Sequence, residues 1–237
     1  MWGKKTVAVI IPVSKEKNSL VEVIQDFDST GYVDEILVVA DNSNLGIEEQ
    51  IKKTRAKLIK QKVSGFGASV KTGFSCTDAD LLIVTEPFRT YKGKDVLKLL
   101  SYSDDFDAVF GTRTHIPLIQ KGSGMDFTRR LVDGILGRLV SVFFLSSTLS
   151  DIGCPVRLTN KKGWTKVSAE CKSNNELFLT EWLIAAAKNK VRFVEIPVNF
   201  SASTASKLKK HYFYYTVRGT RMFFCIFKAW FLHMIRL

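Results

Sequence analysis

The stretch Val7-Ala8-Val9-Ile10-Ile11-Pro12-Val13-Ser14-Lys15-Glu16 decides the fold. Its apolar, β-branched run ends at a proline and then at short polar and charged residues, the pattern of a strand buried on both faces and feeding a loop. The run is too short for a secretory segment and lacks a small-residue cleavage site, so it reads as a strand. Helical spacing follows from Ser19 to Phe27, with Asn18 expected as N-cap and Gly31 as the stop beyond it. The alternation then repeats. Further strands are expected over Glu35 to Val39, Lys57 to Ile59, Leu81 to Val84, Ala108 to Gly111 and Val191 to Ile196. Helices are expected over Leu45 to Thr54 (N-cap Asn44), Ala68 to Ser75, Lys94 to Tyr102, Thr128 to Leu145 and Glu176 to Asn189. Such alternation predicts an α/β protein with a mostly parallel sheet flanked by helices, whose ligands sit beyond the carboxyl ends of the strands.

The chain has 237 residues, enough for one large domain or one domain with an appendage. Its 46% hydrophobic content excludes a disordered chain. Four scattered cysteines, Cys76, Cys154, Cys171 and Cys225, exclude a disulfide framework and offer no zinc-like spacing. The net charge of +12 is uneven. From Ser201 onward there are seven basic residues (Lys207, Lys209, Lys210, Arg218, Arg221, Lys228, Arg236) and no acidic one, which leaves +5 for the first 200 residues. The composition divides the chain into a main unit, residues 1–200, and a basic aromatic tail, residues 201–237.

The loops after the strands hold the candidate chemistry. Pro12, Ser14 and Glu16 follow the first strand, and Asp41 the second, where a carboxylate can accept hydrogen bonds from a base or ribose or can simply shape a loop. Gly65 and Gly67 open a helix that carries Lys71. Glycines there let backbone N–H groups approach a phosphate, although the spacing is neither a dinucleotide fingerprint nor a P-loop. Glu86 ends the fourth strand, placed either to hold a divalent cation on phosphate oxygens or to receive hydrogen bonds from a neighbouring loop. Arg113 ends the fifth strand, and Arg129 and Arg130 lie near a helix start, so the three can form a phosphate cradle or, for the latter two, a solvated helix face. Asp151 stands in a Gly/Pro turn, as a general base or as a turn residue.

Taken in order, these segments resemble a family 2 inverting glycosyltransferase of the GT-A fold, close to the polyprenol-phosphate (dolichol-phosphate) sugar synthase branch. Val7 to Glu16 resembles the family's opening strand and P-x-Y-N-E segment; Val38 to Gly46 (VVADNSNLG) resembles its V-D-D-G-S-x-D-G segment. Gly65 to Phe74 (GFGASVKTGF) matches its G-x-G-x-A-x-x-x-G-F helix. Gly111 to Arg113 stands for G-S-R, Asp151 to Leu158 for D-x-x-x-G-F-R-L, and Phe193 to Phe200 with Ser206-Lys207-Leu208 for the closing E-x-P-V and S-K-L.

The resemblance implies that the first two loops, Asp41 and the glycine helix hold a UDP- or GDP-sugar. It implies that Glu86 holds Mg²⁺ or Mn²⁺, that Asp151 deprotonates the acceptor, and that Arg113, Arg129, Arg130 and Lys207 receive an acceptor phosphate. The implied acceptor is a polyprenyl phosphate or another lipid-linked molecule, with a soluble glycan as the alternative. Phe88 stands where the family carries a second metal-binding acid, and this departure motivates a third reading, a non-catalytic nucleotide- or partner-binding protein.

On an ideal helix starting at Lys210, the tail places Lys210, Arg218, Arg221, Lys228 and Arg236 within an arc of roughly 80°. The aromatic residues lie mostly elsewhere. This pattern suits residues 208–237 lying in a lipid headgroup region or packed on the domain with a solvated basic edge, rather than on nucleic acid, and the resemblance implies the first, on the inner, cytoplasmic face of a membrane. The tail lacks the uninterrupted apolar length of a spanning helix.

Overall fold

The computed structural model describes residues 1–14, 19–41, 46–202 and 212–235, with the side chains of 212–215 excepted. Asn18 and Asn44, expected as caps, lie outside the described residues, as do Glu16, Lys207, Lys209, Lys210 and Arg236.

Seven strands form one sheet: β1 (Val7–Val13), β2 (Glu35–Asp41), β3 (Lys57–Gln61), β4 (Leu81–Val84), β5 (Ala108–Thr112), β6 (Arg157–Asn160) and β7 (Phe193–Pro197). Their order is β3-β2-β1-β4-β6-β5-β7, and only β6 runs antiparallel to its neighbours. β1 is buried along its whole length because both of its faces are covered. Ala8 and Ile10 enter one core, and Val7, Val9, Ile11 and Val13 enter the other, as the period of two requires.

The helices are α1 (Leu20–Asp28), α2 (Ile47–Ile51), α3 (Phe66–Ser75), α4 (Asp95–Ser101), α5 (Phe127–Phe143), α6 (Lys161–Val167), α7 (Phe178–Lys188) and α8 (Tyr212–Met234). α1, α2 and α4 cover one face of the sheet through Phe27, Ile51 and Leu99. α3, α5 and α7 cover the other through Phe74, Val140 and Trp182, and α8 adds Met222 and Ile226 to that same core. Asp126 caps α5, its carboxylate accepting a hydrogen bond from the Arg129 N–H at 2.8 Å.

All six expected strands and six expected helices are present, with ends that move by a few residues. β6 and α6 were not anticipated. β6 reads Arg-Leu-Thr-Asn, with one apolar residue, and is central because Arg157 is buried against rings and carbonyls.

Register fixes the functional edge. Val13 lies opposite Ala40, Ile10 opposite Val84, and Arg157 opposite both Val84 and Phe110. The carboxyl ends of β1, β2, β4 and β5 therefore share one edge with the amino end of β6. Ser14, Asp41, Glu86, Arg113 and the loop carrying Asp151 all emerge there.

Candidate active site

The loop that precedes β6 is the most constrained part of this edge. Arg157 is 1% exposed and donates to the carbonyls of Cys154 (3.0 Å), Leu179 (2.7 Å) and Ile152 (3.2 Å). Its guanidinium lies over the rings of Phe110 and Trp182, at 5.2 and 5.4 Å from their centroids. A desolvated cation over an aromatic face is worth ~2 kcal/mol, so Arg157 holds both the strand and the loop before it.

That loop presents Asp151 to Arg113. The Arg113 main-chain N–H and Nε–H donate to Asp151 Oδ2 at 2.8 and 2.7 Å, and Nη2 donates to Oδ1 at 2.7 Å. Burial acts to raise the Asp151 carboxyl, but the Arg113 charge and hydrogen bonds outweigh it and hold the group below the usual carboxylate range. Asp151 is therefore ionised, and both of its oxygens are engaged.

Arg113 Nη2 also reaches Asp133 Oδ2 at 3.3 Å, and Arg129 Nε lies 3.9 Å from the same oxygen. Asp133 projects from the second turn of α5 and is 3% exposed. Burial pushes its carboxyl up, while the charges of Arg218, Arg113 and Arg129 oppose the shift. Arg113, after β5, and Arg129, on α5, thus pair with one carboxylate, and the charge of Arg218, on α8, acts on it from beside Gly153. Arg130, half-buried, lies beside Arg129 in the first turn of α5.

Glu195, within β7, closes the other side of the loop. It accepts hydrogen bonds from Ser150 N–H (2.7 Å), Ser150 Oγ (2.5 Å) and Asp151 N–H (3.0 Å). Burial, aided by the Asp151 charge, raises its carboxyl to about 7 against the bonds from Ser150. Tyr91 is buried near Cys154 and Arg113, and burial raises its phenol too.

At the ends of β1 and β2, Asp41 accepts a 2.7 Å hydrogen bond from Ser64 Oγ, and Ser14 is exposed. Pro12 is buried inside β1 opposite Val39. The glycine pair meets another part of the chain. A Cβ on Gly65 would collide with the Asn174 carbonyl, and one on Gly67 with the Ser173 carbonyl and, at 2.6 Å, with Phe178 Cβ. Ala68 N–H donates to the Asn174 carbonyl at 3.1 Å, while Lys71 Nζ donates to Lys172 O (3.1 Å) and Asn174 Oδ1 (2.9 Å). These three residues join α3 to the segment before α7.

Glu86, the carboxylate that the sequence marked for a divalent cation, is half-buried after β4, and Phe88 stands two residues on. Among the described residues no group of three or more His, Cys, Asp and Glu could cage a metal. A cation held by Glu86 would take its remaining ligands from water and phosphate oxygens, as Mg²⁺ commonly does.

Residues 8–128, just over half of the chain, match Glycosyl transferase family 2. The chain belongs to this family. Over 200 residues it is 24% identical to a dolichyl-phosphate hexose transferase of Haloferax volcanii, covering 81% of this chain and 82% of that protein. It is also 26% identical over 115 residues to protein RfbJ of Shigella flexneri, covering 48% of this chain and 89% of RfbJ. Among solved structures, glucosyl-3-phosphoglycerate synthase of Mycobacterium tuberculosis, in complex with Mn²⁺, UDP and phosphoglyceric acid, matches with a TM-score of 0.65 at 13% identity. That match covers 82% of this chain and 69% of the synthase. The fold is GT-A, and with the family match the protein is a nucleotide-sugar-dependent glycosyltransferase.

Asp133 and Tyr91 in this glycosyltransferase were not singled out in the sequence, and Glu195 entered only as the acid of the E-x-P-V segment, with no role given to it. Two of them carried a signal: Glu195 is an acid inside an apolar strand, and Asp133 an acid on the inward face of a helix. Such residues are seldom buried without a partner.

Proposed function

We propose that this glycosyltransferase moves a hexose from a UDP- or GDP-sugar to a polyprenyl phosphate at a membrane surface, with inversion at the anomeric carbon. The observation that carries this reading is the clustering of Arg113, Arg129 and Arg218 about Asp133, the first two in ion-pair contact with it, beside an apolar groove. The groove, about 440 Å³, runs between α5 and α8 and is lined by Val132, Ile135, Leu136, Met222 and Phe223, with Arg129, Asp133 and Arg218 also lining it. Cations beside an apolar channel suit a phosphate that carries a hydrocarbon chain. Likeness to a dolichyl-phosphate hexose transferase supports the same acceptor.

Asp41 and Ser14 are proposed to face the nucleotide. A divalent cation held by Glu86 would neutralise the charge of the diphosphate leaving group. A phosphate monoester has its second pKa near 6, so at neutral pH the acceptor is already a nucleophilic dianion. This suits the closed Arg113–Asp151 pair, since no base is then needed and Asp151 keeps Arg113 in place. With a hydroxyl acceptor, Asp151 would serve as base, and that would require the pair to open.

The exposed face of α8 is proposed to lie on the bilayer. No helix among the described residues is long and apolar enough to cross a membrane. Phe224 and Phe231 on α8 are exposed, and Phe127 and Ile135 on α5 extend the apolar surface. Arg221 and Lys228 are exposed beside them, whereas Arg218, expected in the same basic stripe, turns inward with 14% exposure. The test is release of UDP or GDP from a panel of nucleotide-hexoses, with Mn²⁺, in the presence of polyprenyl phosphate. Release must rise with the acceptor and fall in Glu86→Ala; release that ignores acceptor and metal alike would refute the reading.

A further inference from the structure

We propose that Arg218 of α8 is a positioning residue of the transferase site, entering a notch left open by Gly153 and holding Arg113 in place through Asp133. Gly153 sits between Asp151 and Arg157 on the buried loop. A Cβ there would collide with Arg218 Nη2 and would lie 3.1 Å from both Arg113 Nη2 and Asp133 Oδ2. Three charged ends from three elements thus meet at one residue without a side chain. The inward turn of Arg218 follows from helix geometry. Arg218, Met222 and Ile226 recur every four residues and so share one face of α8, and Met222 and Ile226 are buried, at 2% and 0% exposure. Gly219 lets α8 approach α5, since a Cβ there would lie 3.3 Å from Val132 Cγ1.

Charge explains what Arg218 does in the notch. Asp151 and Asp133 are two buried acids facing one buried guanidinium, Arg113, and the half-buried Arg129 is 3.9 Å away. Without Arg218, Asp133 is left to share Arg113 with Asp151 and to rely on the more distant, partly exposed Arg129, and a weakly compensated carboxylate is expensive out of water. Among the charges that offset the burial of Asp133, that of Arg218 is the largest. On its outer side, Arg218 Nε lies 3.8 Å from Glu176 Oε2, just before α7. Asp151, Arg113 and Asp133 are joined by ion pairs, Arg218 faces Asp133 across the Gly153 notch, and Glu176 lies beyond Arg218, so charges alternate from the end of β5 to the terminal helix. A displaced Arg218 would leave Asp133 to compete with Asp151 for Arg113. The terminal helix is then a working part of the site as well as its proposed contact with lipid. This role rests on the reading of the strand edge as the transferase site.

The test uses the full chain with Arg218→Ala, and Arg218→Lys in case the alanine variant does not fold. The first readout is hydrogen exchange of the Arg113 side-chain Nε–H, identified by its loss in Arg113→Lys, and it needs no turnover. The account expects exchange at least about tenfold faster in the variant, as the pair opens more often. In the transfer assay kcat should fall about tenfold or more while nucleotide affinity stays within about twofold, and millimolar guanidinium should restore part of the rate to Arg218→Ala where methylammonium does not. Gly153→Ala should repeat the defect in the wild type and add little to it in Arg218→Ala. Unchanged Arg113 exchange in a folded variant would overturn the proposal, as would a loss of rate that guanidinium does not restore. A wild-type protein that transfers no sugar would refute the proposed function, while the exchange of Arg113 would still decide the role of Arg218.

Discussion

Arg113 and Asp151, 38 residues apart, hold each other through three hydrogen bonds of 2.7 to 2.8 Å, with each residue 2% exposed. A buried pair of this kind is poor evidence of net stability, because desolvation offsets most of the attraction. Its consequence is asymmetric: either partner alone is costly.

Asp151→Ala should therefore destabilise the protein by about 3–5 kcal/mol, leaving the buried Arg113 guanidinium with only its 3.3 Å contact to Asp133. Adding Arg113→Met should recover most of that loss, since the double variant buries no uncompensated charge. Urea denaturation of the three variants checks this. A single-variant loss below about 1 kcal/mol, the range of an exposed pair, would contradict the buried geometry.

Glu195 gives the pH dependence its sign. The folded protein keeps this proton to about pH 7, whereas an unperturbed glutamate releases it near 4.5. The folded state binds the extra proton, so the contribution is complete below the unfolded value and is lost as pH rises through the folded one. A shift of that size corresponds to about 3 kcal/mol. Thermal or urea unfolding between pH 4.5 and 7.5 should show stability falling with pH in the wild type relative to Glu195→Gln. Parallel profiles for the two proteins would place the Glu195 carboxyl in ordinary solvent.

Much of the fold was legible because β1, β2 and β4 are continuous apolar runs and α5 and α7 have clear helical spacing. β6 was not, because a four-residue strand containing Arg157 shows no hydrophobic pattern when its burial rests on cation–π contacts and three carbonyls. In the site, the composition of turns marked Asp151 and Arg113 separately, but the pair closes over a separation that no local pattern records. The glycine pair shows a different limit. Close approach of any backbone requires glycine, so a phosphate and the Asn174 carbonyl leave the same mark in sequence. Lys71, for that reason, meets the 172–174 segment. The basic stripe of α8 misled at Arg218 because an ideal helix has no inside until its neighbours are known.

Flotation tests the proposed membrane face without truncating α8, whose Met222 and Ile226 belong to the core. Phe224→Glu with Phe231→Glu replaces two exposed rings and leaves those contacts intact. Recovery of the full chain with vesicles rich in anionic lipid should fall several-fold in this variant, and high salt should weaken what remains. Equal flotation of both proteins would remove α8 from the membrane contact.

The most direct measurement of the central claim is the chemical fate of a labelled hexose offered as UDP- or GDP-sugar with Mn²⁺ and either a polyprenyl phosphate or the matching polyprenol. The account predicts label in the organic phase with the phosphate alone, as an acid-labile sugar phosphodiester whose anomeric configuration is opposite to that of the donor. Label that remains in water, or that reaches the alcohol as readily as the phosphate, would contradict it.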